Sequence, residues 1–166
     1  MKVIPHNEEM VKSAKRWGKR LGKLNNSITK GKGNLGGRLG EIAFASYIGA
    51  ELADDYNYDV MLVDEKIEIK TKRRTVAPKG HYEVSVASTS LHQNPDRYVF
   101  ISVEFERKKG FNYYGLKNVW LCGDMKADEY LENARVWKKG EMDESNKFVT
   151  LVDMHNLRID RLDQSF

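Results

Sequence analysis

Apolar residues near the N-terminus fall at Met10, Ala14, Trp17, Leu21 and Leu24. These steps of four and three form one stripe of a helix. Asn7 stands where an N-cap belongs, and Glu8 and Glu9 suit the positive helix end. The stretch from Asn25 to Gly33 has no such period and reads as a flexible basic loop. A second helix is predicted over Leu35–Ile48 from Leu35, Leu39, Ile42 and Ala43, with Asn34 as its cap and Gly49 as its stop.

From residue 50 the period changes to two. Val60, Leu62, Ile67 and Ile69 alternate with polar neighbours around Asp64-Glu65, which predicts a hairpin. Further strands are predicted at Tyr82–Ala87 and Tyr98–Phe105, with a short helix or turn over Ser88–Asp96 between them. Arg107–Gly110 reads as a hairpin tip leading to strands at Phe111–Leu116 and Val119–Cys122. A charged helix over Met125–Ala134 and an apolar run at Phe148–Val152 close the chain. Helices followed by a run of strands, with little strict alternation, give an α/β domain of mixed α+β character. We read residues 1–166 as one domain: a basic N-terminal helix and loop at 1–34, a core at 35–105, and additional strands and a helix at 106–166.

Composition narrows the class. A hydrophobic fraction of 40% beside 31% charged residues is that of a folded, soluble chain. Cys122 is the only cysteine, which excludes a disulfide framework and a cysteine zinc site. No apolar run approaches the roughly 18 residues of a membrane span, and no signal peptide is visible, so a cytoplasmic location is expected. The formal net charge is +4 and unevenly placed: residues 1–40 carry +8 and the remainder −4. A basic block on a mildly acidic body suits a polyanionic partner, or is a lysine-rich helix face kept for solubility.

The candidate chemistry lies in the hairpin. In a strand, residues two apart share a face, so Lys66, Glu68 and Lys70 point one way and Ile67 and Ile69 the other. With Asp64-Glu65 as a two-residue turn, Val63 faces Lys66, Met61 faces Glu68 and Asp59 faces Lys70. Val60, Leu62, Ile67 and Ile69 then share the buried face, and a slip of one residue would mix the faces. Asp59 and Glu68 would sit roughly 7–8 Å apart on the diagonal, close enough to share a hard cation. A lysine beside them can orient a water or meet a phosphate oxygen. The same residues also make an ordinary solvent-exposed salt-bridge ladder, and Glu-Ile-Lys alone is a weak signal. Its neighbours add weight: Asp59 upstream, Glu41 on the preceding helix, and basic segments on both sides (Lys30, Lys32 and Arg38; Lys72, Arg73, Arg74 and Lys79).

This combination resembles the PD-(D/E)XK nuclease superfamily. The matching residues are Glu41 within Gly37-Arg38-Leu39-Gly40-Glu41, Asp59, and Glu68-Ile69-Lys70 followed by Thr71. The resemblance covers roughly residues 36–105 and departs at Tyr58, where the family name has proline. It implies a restriction-endonuclease-like core, a central mixed β-sheet flanked by helices, built as helix (Leu35–Ile48), hairpin (Asp59–Thr71), crossover helix, and strand (Tyr98–Phe105). It also implies a Mg²⁺-dependent deoxyribonuclease, with Mn²⁺ able to substitute. Asp59 and Glu68 would bind the metal with the Ile69 carbonyl. Lys70 would orient or activate water, and Glu41 would hold a second metal or a water. Asp54, Asp55 and Asp64 are rivals to Asp59.

Other residues carry weaker signals. Gln93 reads first as a turn or helix-end residue and second as a further active-site side chain. His6, His81, His92 and His155 lack metal-ligand spacing. Gly31, Gly33, Gly36, Gly37 and Gly40 lack a phosphate-loop pattern and read as a flexible DNA-contacting loop. Tyr113, Tyr114 and Trp120 are either core or base-stacking aromatics. The expected partner is DNA, contacted by Lys30, Lys32, Arg38, Lys72, Arg73 and Arg74, with a homodimer if duplexes are cut and no small-molecule cofactor. The alternatives are a non-catalytic DNA-binding protein of the same fold and a basic module docking an acidic partner.

Overall fold

Short-range sequence signals set the first two helices, with a side-chain cap at the start of the first and a backbone stop at the end of the second. The structure, a computed structural model, describes residues 1–21, 34–53, 55–109, 113–143 and 148–166. After a short strand β1 (Lys2–Ile4), helix α1 runs Glu8–Leu21, and the Met10 amide donates to Asn7 Oδ1 at 3.0 Å. That is the expected N-cap. Helix α2 runs Asn34–Ile48 and ends at Gly49, whose φ of 69° is the left-handed conformation. The Gly49 amide bonds the Ser46 carbonyl and the Ala50 amide the Ala45 carbonyl, a Schellman stop. Gly36, Gly37 and Gly40, expected in a flexible loop, lie inside α2. Gly31, Gly33, Lys30, Lys32 and Leu24 fall outside the described residues.

The strands form a mixed central sheet. They are β2 (Val60–Leu62), β3 (Glu65–Arg74), β5 (Arg97–Phe105) and β6 (Leu116–Lys126), with β4 (Glu83–Ala87) outside it. The sheet order is β1-β6-β5-β3-β2; β3 and β5 run parallel and the other neighbours antiparallel. The parallel pair requires a crossover. Where the resemblance implied a helix, that crossover holds β4 and a 3-10 helix over Ser88–Gln93. Tyr113–Gly115 is a 3-10 turn, not the end of a strand, and β6 is one continuous strand where two were expected. The charged helix is shorter than expected: α3 is Ala127–Asn133, because Met125 and Lys126 still belong to β6.

Both faces of the sheet are covered. Helices α1 and α2 pack on one, burying Val11, Ala14, Leu39 and Phe44 against Val60, Ile67, Ile69, Ile101 and Leu121. On the other lie α3 and a second sheet, ordered β4-β10-β7, with β7 at Arg135–Trp137 and β10 at Met154–Arg158. Its core joins Val84, Val86, Tyr98, Phe100, Tyr130 and Leu157. A small hairpin, β8 (Met142–Asp143) with β9 (Phe148–Val149), stands apart from both sheets. Among the described residues no helix is long and apolar enough to cross a membrane.

Candidate active site

The β2–β3 hairpin has the expected faces but a different turn. Val60 pairs with Ile67, Met61 with Lys66 and Leu62 with Glu65, so Val63-Asp64 forms the turn instead of Asp64-Glu65. Val63 takes a φ of 56°, an unusual choice for a β-branched residue, and its side chain is exposed. The register thus differs by two residues. An even shift preserves parity, so Val60, Ile67 and Ile69 remain buried together. Its consequence falls on the pairing, which ends at Val60↔Ile67 and leaves Asp59 bonded to the backbone of Ile67 and Ile69, not facing Lys70. The Asp59 amide donates to the Ile67 carbonyl at 2.9 Å, one residue out of that register, so the ladder is irregular at Asp59.

Three elements bring the remaining groups to this spot. Asp59 Oδ2 accepts the Ile69 amide at 2.7 Å, which fixes the carboxylate at the mouth of the hairpin. Ile69 directs its carbonyl to the same strand edge as its amide, past the end of β2. On β3, Lys70 Nζ donates to Glu68 Oε1 at 2.6 Å and to Gln93 Oε1 at 3.0 Å. Gln93 closes the 3-10 helix and bridges Lys70 to the Tyr56 carbonyl, which its Nε2 reaches at 2.9 Å. Its role depends on where the crossover packs, which no local pattern in the sequence records.

Helix α2 supplies Glu41. It can lie close on β3 because Gly40 has no side chain: a Cβ there would come 2.0 Å from Thr71 Oγ1. Arg38 donates to Glu41 Oε2 at 2.8 Å, and its guanidinium sits 5.0 Å over the Trp17 ring of α1. Two of the rivals to Asp59 stand apart from the group. Asp55 is exposed and accepts the Asn57 amide, Asp64 is exposed in the turn, and Asp54 lies outside the described residues.

The electrostatics record the crowding of the carboxylates. Burial holds the Asp59 carboxyl well above its usual range, and the charges of Glu41 and Glu68 push it further. Burial also raises Glu41, with Glu68 adding to it and Arg38 opposing. Burial, then Glu68, pushes the Tyr98 phenol up to about 12, so it stays protonated beside the site. Three acidic groups thus sense one another, with one ammonium among them. Each gives one oxygen to a neighbour: Asp59 to the Ile69 amide, Glu68 to Lys70 and Glu41 to Arg38. Among the described residues no three acidic, imidazole or thiol side chains are already drawn together around a metal position.

The chain matches no family model and no curated relative. What can be said of the site rests on its own geometry.

The expected basic contacts separate into two kinds. Lys72 Nζ and Arg74 both donate to the Glu83 carbonyl, and Arg74 Nε also reaches Ser102 Oγ at 3.1 Å with its guanidinium over the Tyr82 ring. These two tie β3 to the second sheet. Arg73, on the opposite face of β3, is exposed, as are Lys12, Lys15, Arg16 and Lys19 along α1. Trp120 gives its indole N–H to Glu104 at 2.9 Å, whereas Tyr114 is exposed.

Proposed function

We propose that this chain is a Mg²⁺-dependent nuclease acting on DNA, with Asp59, Glu68, Lys70 and Glu41 as its centre and a restriction-endonuclease-like core as its scaffold. The observation that carries the reading is the convergence of Asp59, Glu68 and Lys70 at the open end of the hairpin, where Asp59 is bonded to the Ile69 amide and Lys70 to Glu68. Glu41 is brought within electrostatic reach of them from α2.

The donor set fits a hard divalent cation. Carboxylate oxygens and a backbone carbonyl are the ligands Mg²⁺ takes, and carboxylates whose charges raise one another's pKa are relieved by a cation. Asp59, Glu68 and the Ile69 carbonyl would hold it, with Glu41 supporting a second ion or a water. When bound, such an ion polarises the phosphate and lowers the pKa of a water. The chain's own residues do the rest. Asp59 is anchored by the Ile69 amide, so it enters the reaction already oriented. Lys70, steadied by Gln93, is placed to orient the attacking water or meet a phosphate oxygen once Glu68 turns to the ion. Exposed cations on α1 supply the phosphate-directed field. One such centre cuts one strand, so cleavage of a duplex calls for a second copy.

A non-catalytic DNA-binding role is favoured by one observation: Glu68 and Glu41 are already neutralised by Lys70 and Arg38 without any ion. Incubating the protein with plasmid, single-stranded and branched DNA separates the two readings. Cleavage with Mg²⁺ or Mn²⁺, abolished by chelator, supports the nuclease. Binding without cleavage under all conditions supports the alternative.

A further inference from the structure

Beside the candidate centre stands a pair of flat rings that the chemistry above does not use. Tyr56 is 74% exposed, and its ring stacks on that of His92 with centroids 5.5 Å apart and planes inclined by 22°. The pair is tied to the site by one side chain. Gln93, the residue after His92, donates to the Tyr56 carbonyl and accepts from Lys70 Nζ. The last turn of one 3-10 helix thus turns His92 to solvent and Gln93 toward the catalytic lysine.

We propose that Tyr56 and His92 form a stacking platform for one nucleobase next to the cleaved phosphodiester, which makes DNA with an unstacked base the preferred substrate. This rests on the nuclease reading above and narrows its substrate class to single-stranded, frayed or branched DNA. An aromatic face open to water offers a base the same stacking that it loses on leaving a duplex, and every base has such a face. In an intact duplex those faces are covered by neighbouring bases, so only an unpaired nucleotide can occupy the platform. Asp55, exposed next to Tyr56, puts a negative charge there and disfavours a phosphate. The platform therefore suits the base, while phosphates lie toward Lys70. Being two hydrogen bonds from Lys70, an occupied platform also fixes where the adjoining phosphate sits.

The test uses the full chain carrying Glu68→Ala, so that the strand stays intact, titrated into single-stranded oligonucleotides of about 16 nucleotides. 2-Aminopurine is placed at one position at a time. Quenching confined to one or two adjacent positions is expected, and adding Tyr56→Ala removes it and weakens single-strand binding by about tenfold, the scale of one stacked base. Tyr56→Phe keeps both, and binding to a fully paired duplex of the same sequence is unaffected by Tyr56→Ala. Quenching and affinity unchanged by Tyr56→Ala, or equal weakening on single strand and duplex, would overturn the platform. A parallel cleavage assay of the native chain with Mg²⁺ keeps the two readings apart. Position-specific quenching without cleavage supports the platform and defeats the nuclease. Cleavage and quenching both indifferent to Tyr56→Ala leave the nuclease and defeat the platform.

Discussion

Asp59 Oδ2 accepts the backbone amide of Ile69 at 2.7 Å, from across the mouth of the hairpin. This bond favours the charged carboxylate, yet burial and the neighbouring Glu41 and Glu68 leave its pKa well above the usual range. The group is thus held in place and held against its preference for charge, a condition that a bound cation reverses.

The pH dependence of stability follows from that shift. A carboxyl raised in the folded state keeps a proton that the unfolded chain releases. Folding therefore takes up protons between the ordinary carboxylate range and the raised folded pKa, and stability falls as pH rises through that window. Metal-free protein should lose stability from about pH 4 upward on account of Asp59 and Glu41. Asp59→Asn should flatten this fall and melt higher at neutral pH. Mg²⁺ or Mn²⁺ should raise the native chain's melting temperature at neutral pH, and that of Asp59→Asn much less. Thermal melts with and without chelator check both; identical pH profiles for the two proteins would refute the assignment.

Gly40→Ala should destabilise the fold although alanine is the better helix former. The new methyl would meet Thr71 Oγ1 at 2.0 Å and Thr71 Cβ at 3.1 Å. Overpacking of this kind costs about 1–3 kcal/mol. Thr71→Ala should restore part of the loss in the double variant, and costs little alone because Thr71 Oγ1 is buried without a hydrogen-bond partner. Urea midpoints of the four proteins give the coupling, and additive effects would show that α2 does not bear on β3 here.

How much of this could be read in advance depended on whether a local pattern recorded it. The face shared by Glu68 and Lys70 followed from the alternation along β3, and the joint burial of Val60, Ile67 and Ile69 holds for any even register. The turn did not follow, since the alternation admits either even register and Val63 at positive φ is not a residue that a turn there would suggest. Helices α1 and α2 carried their own caps. The second sheet was missed because Met154–Arg158 buries only Leu157 and so shows no alternation, even though its partner strand β4 does. Gln93 and the Tyr56–His92 pair come together only through the crossover, and their one local trace is an aromatic beside acidic residues just before Asp59.

The basic residues should divide by experiment as they do in space. Arg74→Ala removes bonds to Ser102 and the Glu83 carbonyl and a contact with Tyr82, so a loss of about 1–3 kcal/mol in stability is expected. Lys15→Gln with Lys19→Gln should leave the melting temperature unchanged and weaken binding to all DNA sequences alike. The dependence of log affinity on log salt should become shallower by up to about 2 units. Fluorescence anisotropy at several salt concentrations measures this, and an unchanged slope would take α1 out of the DNA contact.

Catalysis and binding should come apart at β3. Without a metal, Glu68 and Asp59 repel a phosphate as well as each other. Glu68→Ala removes the proposed metal ligand and that repulsion, so cleavage should vanish while DNA binding survives or tightens. Lys70→Ala should lower the cleavage rate by about 10²–10⁴-fold, the range for a group that assists proton transfer. It should not tighten binding, because a positive charge beside the phosphate is lost and the buried Glu68 loses its partner. Gln93→Ala leaves that charge in place and frees only its position, so a smaller rate loss is expected, with folding intact. Glu41→Ala should also cost less than Glu68→Ala, since Arg38 already holds Glu41 from α2. Single-turnover cleavage beside anisotropy titrations, with circular dichroism on each variant, separates these effects. A folded Glu68→Ala protein that still cuts at the native rate would place the chemistry elsewhere in the chain.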